Sequence, residues 1–418
     1  MPLNTTDIIM ACSLGVSLLA YWLVARREHS FLNILTPDYL VAIPATYILP
    51  AIYVHLFGQE GSTFAFVYVY ATMAVENLTF ALVYLRRSNK TIALPFTFSY
   101  RNFLPLAIFF LVIAFLVYLP ILLQFPEFLL DPRQIYAHTR VGYGGYFFVS
   151  ATLVDLSVIF ALFSEESWRI KTALIGAGLV VLSLHGSKGE VLTVFLLWAL
   201  YEVYAKRRKI RLFYAAVAVF AMAVLILGLF MATGGLAGTA SEALEAIAEY
   251  SDYTRNATLV IDQKFPLQYG RITLEGNLYA IVPRALFPDK PKNFGPFRLA
   301  EEYHPEAFDA EEGAPAFGIG IQYADFGLFA IVYLAAFAAF RGWLARIFVD
   351  RLRQTNHPGD LVMVAFLAGM SLFPVGTGWL LPETVAVVLV VRFLSTMGSG
   401  LVYRERVRFR QARSNAVT

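Results

Sequence analysis

Positively charged side chains are concentrated in one stretch of a chain that is otherwise mostly apolar. Between residues 271 and 298, only two acids, Glu275 and Asp289, accompany the bases. The bases of this stretch are Arg271, Arg284, Lys290, Lys292 and Arg298. An arginine side chain can hold two oxygens of a phosphate group at once. Because the acids are too few to pair with every base, we expect the set to bind a phosphate-containing anion, although any single base could instead pair with an acid.

Prolines stiffen the centre of this stretch, which reads IVPRALFPDKPKNFG over residues 281–295. A proline ring fixes one backbone angle and lowers the conformational entropy of the free loop. We therefore expect Arg284, Lys290 and Lys292 to be held in a preformed arrangement.

Four more bases lie in other polar segments and are predicted to join the same anion site. They are Arg133, Arg140, Lys188 and Arg255. Lys188 is flanked by Gly186 and Gly189, and glycines let a ligand approach the backbone closely.

Arg255 is predicted to lie on a helix. Thr239 and Glu242 have the spacing of a capping box at a helix N-terminus. The residues that follow at intervals of four on one helical face are Ile247, Ser251, Arg255 and Leu259. An arginine on a packed face either pairs with an acid or binds an anion, and the sequence leaves both alternatives open.

The last polar stretch before the next apolar run supplies acids for proton transfer. A general base must take a proton from an attacking hydroxyl group, which a carboxylate can do. Glu311 and Glu312 are the first candidates, and Asp325 is the third.

Other kinds of site are not indicated. The six histidines include no pair at the spacing of metal ligands, and no nucleotide-binding glycine motif is present. We expect no metal ion, no cofactor and no nucleic-acid partner.

The elements that must position these residues are those of an all-α polytopic membrane protein. Of the 418 residues, 58% are hydrophobic and only 15% are charged, against about 25% charged in soluble domains. Apolar runs long enough to cross a bilayer as helix recur, and we predict about eleven spans in a single transmembrane domain, 1–418. The predicted spans are 7–25, 38–57, 64–85, 103–123, 146–163, 170–186, 190–205, 212–232, 317–340, 359–381 and 384–402.

Charge in the connections predicts the orientation. Basic residues gather in every second connection, including KRRKIR at 206–211, the run from Arg341 to Arg353 and the tail RERVRFRQAR. Because basic loops stay in the cytoplasm, we expect the N-terminus outside and the C-terminus inside. The external side then carries a smaller loop, 124–145, and one large loop, 233–316, with helical segments.

Several motifs resemble those of a known group. They are GSKGE at 186–190, IVPRALFPDKP at 281–291 and GAPAFGIGIQYADFGL at 313–328, together with one long external loop late in the chain. An arginine is also followed eleven positions later by a glycine in both external loops, from Arg133 to Gly144 and from Arg284 to Gly295. This pattern resembles the bacterial O-antigen and related repeat-unit polymerases, the Wzy-type membrane proteins, which are related to O-antigen ligases. Lys188 stands where that group often has arginine. A lysine keeps the positive charge but lacks the planar guanidinium group that can hold two phosphate oxygens at once.

The resemblance implies a GT-C-like, metal-independent glycosyltransferase fold in the bacterial inner membrane, with the N-terminus in the periplasm and the C-terminus in the cytoplasm. The first external loop, HLFGQEGST, also lacks the acid-x-acid pair of metal-dependent relatives. The donor would be an undecaprenyl-diphosphate-linked oligosaccharide, the acceptor a lipid-linked repeat unit, and the leaving group undecaprenyl diphosphate. The predicted bases would bind the diphosphate and an acid would accept the proton. A chain-length regulator is a further candidate partner.

Three other functions remain open. A ligase of the same architecture would move finished chains, although His304 is the only histidine of the large loop and the ligase-type histidine pattern is missing. A lipid or polysaccharide transporter predicts internal repeats and paired charges at mid-membrane, which are not evident. A structural assembly subunit would have no use for the external bases.

Overall fold

Every regular element in the described part of the chain is helical, as expected for an all-α protein. The computed structural model describes residues 5–57, 61–86, 102–129, 143–186, 188–217, 252–282, 287–309, 316–370 and 384–396, with the single residues 92, 94, 95, 135 and 220.

The helices of the described residues are numbered in chain order, beginning with those up to the first helix of the large loop. They are α1 (Thr5–Glu28), α2 (Leu49–Phe57), α3 (Thr63–Leu85), α4 (Leu104–Gln124), α5 (Gly144–Phe163), α6 (Trp168–Leu184), α7 (Lys188–Leu200) and α8 (Asp252–Asp262). The remaining helices are α9 (Arg271–Ile281), α10 (Phe297–Tyr303), α11 (Pro305–Asp309), α12 (Gly320–Phe326), α13 (Ala330–Thr355), α14 (Pro358–Leu367) and α15 (Thr384–Thr396).

Five described helical segments are long and apolar enough to cross a membrane. They are α1, α3, α4, α5 and the segment Gly320–Thr355 that contains α12 and α13. All five coincide with predicted spans, so the chain has the helices of a multi-pass membrane protein. The total of about eleven spans stays a prediction.

The predicted span 38–57 is not a uniform α-helix. It begins with two π-helical segments, Asp38–Ala42 and Pro44–Ile48, and continues as α2. Proline has no backbone N–H and cannot complete the regular ladder, and a wider π turn is one way in which a helix accommodates such a residue.

Arg341, the first base of a predicted cytoplasmic connection, lies in regular helix, and the position of the membrane boundary stays a prediction. Helix α13 continues to Thr355, so Arg341 lies well inside it. Its Nε atom donates to the carbonyl of Leu367 at 2.9 Å, its Nη2 atom donates to the Asp38 carboxylate, and its guanidinium lies 4.9 Å from the centre of the Phe80 ring. A charge at membrane depth is tolerated when such partners satisfy it.

Two groups of helices form the core. Helix α3 packs against both α1 and α13, and α4 packs along α5. Small residues allow the second pair to approach closely, since Ser150 and Ser157 of α5 donate to the carbonyls of Ala114 and Ala107 in α4 at 2.8 and 2.7 Å. Hydroxyl bonds of this kind help membrane helices to associate.

Buried ion pairs join the ends of helices on the side opposite the large loop. Glu28 at the end of α1 pairs with Arg346 and Arg353 of α13. Asp360 of α14 pairs with Arg392 of α15 at 3.0 Å, and both side chains are almost fully buried. Arg346 and Arg353, which belong to a basic connection used to predict the orientation, therefore also form ion pairs that stabilise the fold.

The large loop is anchored on the helix bundle through α8. The carboxylate of Asp262 accepts bonds from both the backbone N–H, at 2.7 Å, and the hydroxyl of Ser62, which caps α3. Near the other end of α8, the Thr254 hydroxyl donates to the carbonyl of Thr46. These contacts hold the loop at the end of α3 that begins with Thr63.

Candidate functional site

Helix α9 carries the beginning of the predicted basic stretch, and Asp325 holds its N-terminus. The Asp325 carboxylate accepts from the backbone N–H groups of Ile272 and Thr273 at 2.9 and 2.8 Å, and from the Thr273 hydroxyl at 2.6 Å. The side chain is fully buried. The first N–H groups of a helix lack partners within the helix, and an acid in this position supplies them. Asp325 is thus a cap, a placement that disfavours the predicted role of general base.

Glu275 is the centre of the charge arrangement on α9. Arg298 bonds it in a bidentate way, Nε to Oε2 at 2.7 Å and Nη2 to Oε1 at 3.0 Å. Arg271, one turn earlier, adds a bond of 2.7 Å to Oε1, and the backbone N–H of Gly295 adds one of 3.1 Å to Oε2. Burial by itself raises the pKa of Glu275, but the bonds from Arg298, Arg271 and Gly295 outweigh it and lower the pKa to about 2.

Gly295 lets the basic stretch return onto α9. Its backbone is left-handed, with φ of +56°, and a Cβ atom at this position would lie 2.7 Å from the Cα of Gly276. Only glycine meets both conditions without strain. The glycine at the end of the Arg284-to-Gly295 spacing therefore has a structural reason, namely close contact between two backbones.

Aromatic side chains also pack the chain around Gly295 against α9. The Tyr279 ring of α9 stacks on Phe287 at 6.1 Å and meets the edge of Phe294 at 5.5 Å. Lys290 donates from Nζ to the carbonyl of Val282 at 3.2 Å, and its ammonium lies 4.5 Å from the centre of the Phe294 ring. We call the described segment 287–298 the basic return, and α9 is its support.

Arg255 lies on α8, whereas Glu275 lies on α9. It is half-buried, as is Leu259 on the same face, whereas Ala257 and Ile261 form the fully buried side of the helix. Arg255 is therefore at the edge of the packed surface. Its predicted neighbours on that face, Ile247 and Ser251, lie outside the described residues.

A buried polar pair fixes α8 against the rest of the loop. Asn256 donates from Nδ2 to the carbonyl of Ala316 at 2.8 Å, and its Oδ1 lies 3.1 Å from Nε2 of His304. This gives the only histidine of the large loop a partner inside the protein. It orders the segment that leads to the predicted acids.

Known proteins were compared with the chain. It is 34% identical over 397 residues to the O-antigen polymerases of Salmonella typhimurium and Salmonella typhi, a match that covers 94% of this chain and 96% of the relatives. The chain belongs to the O-antigen polymerase family. This confirms the resemblance in the motifs. No family model and no solved structure matches.

The structure brings only part of the predicted site of this polymerase-family protein together. Arg271 and Arg298 share Glu275, and Lys290 lies in the same return, with Lys292 exposed beside it. Lys188 is the first residue of α7. The predicted residues outside the described part are Arg133, Arg140, Arg284, Glu311 and Glu312. Within the described residues, no group of three or more His, Cys, Asp or Glu side chains could hold a metal ion.

Sequence reasoning named Glu275 only as one of two acids among the bases and missed its central position. The signal was the interval of four from Arg271, which puts both side chains on one helical face. Nothing local pointed to the pairing of Arg298 with Glu275 or to the contact between Gly295 and Gly276.

Two replacements of Asp325 distinguish its role as a helix cap from a role as the general base. We expect Asp325→Ala to destabilise the protein by about 1–3 kcal/mol because buried N–H groups lose their acceptor. Asp325→Asn retains an acceptor oxygen but has no carboxylate for proton transfer. Polymer formation by membranes containing each variant measures the difference. The cap predicts clear residual activity for Asp325→Asn at permissive temperature, and complete loss with unchanged thermal stability would instead make Asp325 the base.

Glu275→Gln should weaken the attachment of the basic return to α9 and so lower the stability of the protein, by an amount that depends on pH. The loss of charge-assisted bonds should cost about 1–2 kcal/mol, after allowance for partial exposure. The pKa of Glu275 is depressed from 4.5 to about 2, so the carboxylate stabilises the folded protein above pH 4.5 and loses this effect as the pH falls towards 2. The difference in unfolding midpoint between wild type and Glu275→Gln, measured across that range, should shrink towards acid. A difference independent of pH would contradict this role.

Proposed function

We propose that the protein joins undecaprenyl-diphosphate-linked oligosaccharide repeat units by glycosyl transfer on the periplasmic side of the inner membrane, with release of undecaprenyl diphosphate. The observation that carries the proposal is the 34% sequence identity to O-antigen polymerases over 94% of the chain. The bond between the donor sugar and the diphosphate breaks, and a bond to a hydroxyl oxygen of the acceptor forms.

The bases of the large loop fit the leaving group. Negative charge develops on the diphosphate as its bond to sugar breaks, and fixed positive charge at that place lowers the barrier. Arg271 supports this role because more than half of its side chain is exposed while its Nε atom is held by Glu275. Arg255, Arg284 and Lys188 complete the first set, with Lys290 and Lys292 as further members.

Arg298 contributes chiefly by position. Its guanidinium is mostly covered and bound in a bidentate way to Glu275. It therefore ties the basic return to α9 and keeps neighbouring bases in place. Arg133 and Arg140, from the smaller loop, would close the site over the diphosphate.

Proton transfer falls to Glu311 or Glu312. One of these carboxylates takes the proton of the acceptor hydroxyl as the new glycosidic bond forms. Asp325 is the weaker choice because its oxygens are used in capping α9.

The membrane arrangement follows from the same proposal. The polyprenyl tail lies in the bilayer, the N-terminus is periplasmic and the C-terminus cytoplasmic, in keeping with the basic connections. A chain-length regulator is a candidate partner for the growing polymer.

An assay with purified protein in liposomes tests the function. Lipid-linked repeat units added to the large-loop side should be converted to a ladder of longer chains. Transfer of preformed chains to a separate lipid acceptor without elongation would favour a ligase. Movement of repeat units across the bilayer without new glycosidic bonds would favour a transporter.

A further inference from the structure

A cavity lies between the ends of α1 and α3, on the side of the bundle away from the large loop. Its volume is about 570 Å³, and its walls are Leu23, Arg26, Arg27, His29 and Leu85. His29 ends α1 with a left-handed backbone, φ 52°. The cavity thus combines three basic side chains with two leucines, a composition that the glycosyl-transfer site does not use.

The nearest acid in sequence does not neutralise these bases. Glu28 is buried and already has partners, since it pairs with Arg353 and accepts from the Tyr84 hydroxyl at 2.9 Å. Within the described part of the chain, neither Arg26 nor Arg27 has an ion-pair partner. Arg26 lies 5.3 Å from the centre of the Trp22 ring, and Arg86 is exposed next to Leu85. The cavity therefore carries positive charge that is available to an anion.

An exposed apolar surface leads from the membrane directly to this charge. Leu18 and Trp22 precede Arg26 by two turns and one turn of α1, and both are exposed. Leu82 of α3 is exposed one turn before the end of its helix. Because α1 and α3 have the length and composition of membrane-spanning helices, we expect this surface to face acyl chains and the bases at the helix ends to lie at the depth of the lipid headgroups.

We propose that the cavity binds the headgroup of an anionic phospholipid. The phosphate would receive bonds from Arg26 and Arg27, with His29 and Arg86 at the rim, while the acyl chains lie along Leu18, Trp22 and Leu82. Arginine suits this role because its planar fork matches phosphate oxygens. Basic pockets between membrane helices are a known form of lipid recognition. The inference does not depend on the proposed glycosyl transfer.

Lipid-dependent stability of the full-length protein tests the site. The protein is placed in nanodiscs of phosphatidylcholine alone, and in nanodiscs with a fifth of the lipid replaced by phosphatidylglycerol of the same acyl chains. A ligand that binds only the folded state raises the unfolding midpoint. We expect phosphatidylglycerol to raise the midpoint of wild type, and Arg26→Gln/Arg27→Gln to lose most of that increase while it matches wild type in phosphatidylcholine.

A matched control removes the same charge elsewhere. Arg169 and Arg211 are exposed and lie outside the cavity, so Arg169→Gln/Arg211→Gln should keep the increase. Arg26→Lys/Arg27→Lys retains the charge without the planar fork and should keep part of it. Native mass spectrometry should show at least about fivefold less phosphatidylglycerol retained by the glutamine variant at the cavity, which corresponds to about 1 kcal/mol. Equal increases in the two glutamine variants, or an equal loss in both, would overturn the proposal. So would full stabilisation by inorganic phosphate in phosphatidylcholine discs, since a free anion would then suffice.

Discussion

Replacement of Gly295 by alanine should nearly abolish polymer formation. A left-handed backbone costs an alanine roughly 1–2 kcal/mol, and the added methyl group would lie 2.7 Å from the Cα of Gly276. Relief of that overlap requires movement of the backbone, at roughly 1–3 kcal/mol more. A loss of about 2 kcal/mol already lowers the ratio of correctly folded to misfolded segment about 30-fold.

The effect should be local and can be separated from general misfolding. Gly15 lies in α1 with nothing within 4 Å of an added Cβ, so Gly15→Ala should form a normal ladder of polymer lengths. Gly295→Ala should reach the membrane in normal amount but yield unextended repeat units. A normal ladder from Gly295→Ala would show that the close return onto α9 is not needed for polymerisation.

Arg284→Ala should stop chain lengthening while the protein is still made. Loss of one donor that stabilises developing charge typically costs about 10²–10³ in rate. Arg284 lies outside the described residues, and the expectation rests on its place in the stiff sequence before Gly295. The gel ladder from a strain that carries Arg284→Ala should collapse to single repeat units.

A control at Lys264 distinguishes the effect of removing one positive charge from the loop from the effect of removing it at position 284. Lys264 is exposed in the same loop but outside the basic return, so Lys264→Ala removes the same charge and should leave the ladder unchanged. Arg284→Lys should recover part of the activity, since it restores charge without the fork. A normal ladder from Arg284→Ala would remove this residue from the mechanism.

Local sequence signals were sufficient for the long helices. The apolar runs that predict α1, α3, α4 and α5 have the length of a membrane span, and the structure forms a helix over each. The family was also within reach of the sequence, because the motifs around Lys188, Arg284 and Asp325 occur together and in order.

Contacts between residues that lie far apart in the sequence could not be predicted from local patterns. Asp325 caps a helix whose first N–H groups lie 53 and 52 residues earlier, so its sequence neighbourhood suggested a base in place of a cap. Arg298 reaches Glu275 across 23 residues. Arg341 of α13 has its countercharge in Asp38, 303 residues away. In each case the deciding partner is fixed only by the folded chain.

The central claim is that growth of the polymer releases undecaprenyl diphosphate. The most direct measurement counts both products in one reaction, with purified wild-type protein and lipid-linked repeat units in liposomes. The account predicts one molecule of undecaprenyl diphosphate for each new glycosidic bond, and neither product from Arg284→Ala. Chain growth without release of the diphosphate would contradict it.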